Sequence, residues 1–64
     1  MDQEKFNLSM RKFLKQVGVT SQQQIEETVR NSDLTGKDKL KVKVVLTAEE
    51  TGLNHTVDGE IDLS

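Results

Sequence analysis

The chain has 64 residues, a formal net charge of −2 and no cysteine, proline, tryptophan or tyrosine. That length holds one small domain, and the missing cysteine excludes disulfides and thiolate metal sites. A third of the residues are apolar and only Phe6 and Phe13 are aromatic, so the core is thin and self-association is the expected source of further stability.

Charge is spread without a strong bias. Residues 1–36 carry five cations and five acids, and residues 37–64 carry four lysines and six acids. Neither balance marks a dedicated nucleic-acid binder. No apolar run approaches the roughly 18 residues of a membrane span, and no signal-like segment precedes the first amphipathic stretch. A cytoplasmic protein that does not engage the membrane is the expectation.

Residues 3–17 read as an amphipathic helix. Phe6, Met10, Phe13, Leu14 and Val17 fall at i, i+4, i+7, i+8 and i+11, one apolar stripe. Asp2 or Gln3 can start it. Gly18 is the expected stop, as a residue that tolerates positive φ just past a helix end, with Lys15 in the last turn. Leu8 lies off the stripe among Arg11, Lys12 and Lys15. A lone exposed leucine is ordinary, but the four together form the candidate interaction surface of this chain.

Val19-Thr20-Ser21 reads as a tight link into a second helix over 22–32. Ser21 followed by Gln24 fits a capping box, and Ile25 and Val29 supply the buried face. Asn31, Ser32, Asp33 and Gly36 are poor helix residues and end it.

Two strands follow, over 38–48 and 53–63. In Lys39-Leu40-Lys41-Val42-Lys43-Val44 apolar and charged residues alternate with period two, and Thr56-Val57-Asp58-Gly59-Glu60-Ile61-Asp62-Leu63 repeats the pattern with acids. A hairpin turning at Glu49-Glu50-Thr51-Gly52, with paired residue numbers summing to 101, sets Lys43 against Asp58, Lys41 against Glu60 and Lys39 against Asp62. Leu46/His55, Val44/Val57 and Leu40/Ile61 share the other face. A slip of two residues keeps at most two charge pairs, and a slip of one puts the apolar set into water. Gly52 is placed for the left-handed turn position. Gly59, mid-strand, suggests a bulge or a close approach.

The expected fold is α+β: two N-terminal helices packed on one face of a C-terminal antiparallel β-hairpin, an ααββ order. A lone two-stranded sheet has two open edges and marginal stability, so a homodimer that pairs an edge strand with its mate is expected.

Chemistry is sparse. His55, the only histidine, lacks an obvious metal or triad partner, and a half-buried, locally hydrogen-bonded structural role is expected of it. Asp58, Glu60 and Asp62 have spacings that suit metal or acid–base work, but the opposing lysines explain them more simply. The four glycines are scattered singly, so no phosphate loop exists. No catalytic, metal-binding or cofactor-binding residue is assigned, and no enzyme activity is expected.

One stretch has functional shape. Arg11 to Arg30 resembles a helix-turn-helix, with Gly18 at the turn and Ser21-Gln22-Gln23-Gln24 opening a recognition helix. Gln22 and Gln23 would then read bases and Arg30 would meet phosphate. Against it, Leu14 stands where the motif wants a small residue, Gln24 and Glu27 occupy apolar positions, and Glu26 and Glu27 repel phosphate. Nucleic-acid binding is therefore the second choice, behind a small protein-interaction or regulatory protein.

The string Phe6-Asn7-Leu8-Ser9-Met10-Arg11-Lys12-Phe13-Leu14-Lys15, then Val17-Gly18-Val19-Thr20-Ser21-Gln22, Ile25-Glu26 and Val57-Asp58-Gly59 resembles a group of small bacterial proteins with an R-K-F-L-K-x-V-G-V-T-S-Q core. The resemblance spans nearly the whole chain and implies a bacterial origin. It carries no activity, because that family is a domain of unknown function. The segment between Arg30 and Lys37 is shorter than in the family pattern.

Overall fold

A computed structural model describes residues 1–64 as one helix, α1 (Gln3–Arg30), followed by strands β1 (Lys39–Thr47) and β2 (Asn54–Asp62). The chain divides into two units, Met1–Leu34 and Thr35–Ser64. Each is described by itself.

The class is α+β, with a single helix where two were expected. The helix runs through Gly18 without a break for 28 residues, roughly 42 Å at 1.5 Å per residue. Glycine permits a left-handed stop but does not compel one. Inside a helix it costs about 1 kcal/mol relative to alanine, which propagation of an already nucleated helix absorbs. No proline enforces a break. Thr20, expected in the link, is satisfied within the helix, donating its hydroxyl to the Gln16 carbonyl at 2.8 Å. Ser9 does the same toward Lys5 at 2.9 Å. Such back-bonding lets serine and threonine sit in a helix interior.

The ends follow the expected chemistry. Asp2 is the N-cap, its carboxylate accepting from the Glu4 and Lys5 amides at 3.0 and 3.1 Å. Asn31 caps the far end, its amide donating to the Glu27 carbonyl at 3.1 Å. The helix thus closes two residues before the expected Ser32. Gly36, at φ 81°, takes the left-handed position in the link.

The hairpin has the expected register along its whole length, from Lys39 opposite Asp62, through Lys43 opposite Asp58, to Thr47 opposite Asn54. Each strand is one residue shorter at each end than predicted, although Leu63 still donates its amide to the Asp38 carbonyl at 2.7 Å. Gly59 pairs with Val42 in unbroken register, so the suggested bulge is absent. A Cβ placed there would meet Val42 at an ordinary 3.6 Å.

The turn differs in detail. It is Glu50, at φ 61°, that takes the left-handed position, not Gly52. With Thr47 and Asn54 as the last pair, the connection is longer than the four residues expected. Thr51 pins it, its hydroxyl donating to the Ala48 carbonyl at 2.8 Å and accepting from the Leu53 amide at 3.1 Å.

No side chain in the chain is buried.

Candidate interaction surface

The apolar stripe of α1 is open along its N-terminal half, where Phe6, Met10, Phe13 and Leu14 expose 44, 40, 49 and 49% of their surface. Val17, Ser21, Ile25 and Val29 continue it toward the C-terminus and are half-buried. Bulky side chains therefore fill one half of the stripe, and smaller ones fill the other.

Continuity of the helix rearranges the sites read from the sequence. Leu8, Arg11, Lys12, Lys15, Gln22, Gln23 and Arg30 all lie on α1, so the two rival surfaces belong to one element. Leu8, Lys12, Lys15, Val19, Gln22 and Glu26 are spaced four, three, four, three and four residues apart, which keeps them on one side. Leu8 is 66% exposed, and Val19, about three turns further along the same side, is exposed too. The sequence places Val19 in a link, and its spacing from Leu8 is visible only once the helix runs through Gly18. A shallow depression of about 310 Å³ on this side is lined by Glu4, Asn7, Leu8 and Arg11.

The helix-turn-helix geometry is not present. It needs two helices joined by a turn at a steep angle, and residues 18–21 are helical. Gln22, its expected base reader, donates its amide to the Glu26 carboxylate at 2.9 Å.

Charge along α1 is uneven: Lys5, Arg11, Lys12 and Lys15 follow Glu4 in its first half, and Glu26 and Glu27 stand with Arg30 in its last turns.

On the hairpin, Lys39 and Asp62 close to 2.6 Å. Lys41/Glu60 and Lys43/Asp58 stand opposite in register without closing an ion pair. No group of three or more histidine, cysteine, aspartate or glutamate side chains is placed to hold a metal. His55 lies opposite Leu46 as predicted, but its side chain is exposed, in place of the half-buried, locally bonded role expected. At the strand end the face is simply open. Across this face Val44 and Val57 stay about half exposed, and a shallow depression of about 320 Å³ lies over Val42 and Gly59. No helix is long and apolar enough to cross a membrane.

A family model described as a family of unknown function (DUF6494) matches residues 1–64. The chain belongs to that family. No curated protein matches it and no solved structure matches it. For this DUF6494 chain the family brings no activity, so function is argued from the surfaces just described.

Proposed function

We propose that this chain is a small non-enzymatic protein-interaction protein that works as a homodimer. One observation carries the proposal: neither the helix nor the hairpin buries a side chain by itself. Helical stability in proteins comes mainly from packing of the apolar face, and a two-stranded sheet alone is marginal. Association of two copies supplies what neither element has by itself.

The side carrying Leu8, Lys12 and Lys15 points away from the stripe and stays outside such a dimer. It is the surface left for a further protein partner.

The test is sedimentation equilibrium of the full chain together with far-ultraviolet circular dichroism across a wide dilution series. A dimer whose helical signal falls as it dissociates is the expected result, because association and folding are then linked by mass action. A monomer that keeps its full helical signal on dilution would overturn the proposal.

A further inference from the structure

Beyond the homodimer, we propose a second contact between copies: the open edge of β1 in one hairpin pairs antiparallel with the open edge of β2 in another, head to tail, in the register used within the hairpin.

Backbone geometry gives the first support. Opposed residues of an antiparallel pair alternate between bonded and non-bonded positions. The Leu63 amide donates to the Asp38 carbonyl at 2.7 Å, which makes Asp38/Leu63 a bonded position. The register is continuous, so Leu40/Ile61, Val42/Gly59 and Val44/Val57 are bonded, and Lys39/Asp62, Lys41/Glu60 and Lys43/Asp58 are not. Residues of the second set turn their amides and carbonyls outward. The outward backbone groups of β1 thus include those of all three lysines, and the outward groups of β2 include those of all three acids.

Charge decides which edges meet. Two β1 edges paired antiparallel with their apolar faces on one side set lysine beside lysine, and two β2 edges set acid beside acid. Both edges resist the symmetric strand pairing expected from the sequence, a common protection of open edges. β1 against β2 of the next copy is complementary. With paired residue numbers again summing to 101, Lys39, Lys41 and Lys43 meet Asp62, Glu60 and Asp58 of the next copy, all at bonded positions. A slip of two residues loses one of these pairs, and a slip of one sets outward backbone groups against inward ones.

The charges are open to a second strand. Within the hairpin only Lys39 and Asp62 close an ion pair, and Lys41, Lys43, Asp58 and Glu60 are exposed. In the joined sheet each of these lysines lies between an acid of its own β2 and an acid of the next copy. The same pairing keeps Leu40, Val44, Val57 and Ile61 of both copies on one face. Because the contact is heterologous, further copies add in the same sense.

Amide hydrogen exchange at single-residue resolution, on the full chain at rising concentration, tests the contact. Outward amides have no partner within the hairpin, so folding alone leaves them fast. Those of Lys41, Lys43, Asp58 and Glu60 should all slow by at least about tenfold as copies join. Slowing on β1 alone or on β2 alone means a symmetric edge pair, and slowing on neither means that the edges do not meet; each overturns the proposal.

Charge exchange gives a second reading. Lys41→Glu combined with Glu60→Lys keeps opposite charges across the hairpin, so this variant joins its own copies as wild type does. Against isotope-labelled wild type it sets lysine on lysine or acid on acid at each junction. Mixed species in native mass spectrometry should then fall about fivefold below their statistical share. Mixed species at or above that share overturn the head-to-tail contact. A homodimer that uses neither edge survives that result, whereas a wild-type chain that sediments as a monomer at every concentration overturns both.

Discussion

Gly18 and Glu50 each sit where a residue-level rule and the surrounding chain disagree. Gly18 has the composition of a helix stop and lies in a helix interior. With no atom near an added Cβ, Gly18→Ala should stabilise the helix by about 0.5–1 kcal/mol. Thermal melting followed by circular dichroism checks this, and a loss of stability would place Gly18 at positive φ, between two helices. Glu50 holds a left-handed conformation at φ 61° that costs a side-chain-bearing residue roughly 1 kcal/mol and is easier for asparagine. Glu50→Asn is therefore expected to raise the hairpin's stability by about 0.5 kcal/mol, read by the same melt, while Glu50→Val should lower it.

At the scale of elements, the helix and the hairpin draw on different sources of specificity. In the hairpin, register follows from a period of two: three lysines on one strand, three acids on the other, and the apolar set between them. Nothing beyond the two strands is needed, so every pair was legible before the structure. The loop was less so. Its conformation depends on the Thr51 hydroxyl bridging Ala48 and Leu53, a local bond that competes with the glycine-led turn. Thr51→Val should cost about 1 kcal/mol by removing both bonds yet leave the register intact. Amide hydrogen exchange would show the change, with faster exchange at the loop and unchanged protection from Lys39 to Lys43. Of the candidate site, the basic group of α1 was legible from spacing alone, whereas its continuation through Val19 and Gln22 was hidden by the assumed break at Gly18.

For the whole molecule, the governing fact is that neither the helix nor the hairpin buries a side chain by itself. The stripe and the outer side of α1 then have separable roles. Leu8→Ala combined with Lys12→Gln should leave helicity and sedimentation of the dimer unchanged within about twofold in affinity, because exposed charges off the interface are largely screened. Dissociation of that variant would show that the outer side, not the stripe, holds the copies together.

The amino-acid order by itself determined the α+β class, a helix start at Asp2 or Gln3, the amphipathic stripe and the complete strand register, because each depends on spacing within one element or between two adjacent strands. Tertiary structure decided whether the helix crosses Gly18 and which residue takes the left-handed turn. Those outcomes are small differences between competing terms: a glycine penalty of about 1 kcal/mol against helix propagation, and a strained glutamate against two threonine hydrogen bonds. No single residue sets their balance, so it emerges only when the whole chain is folded.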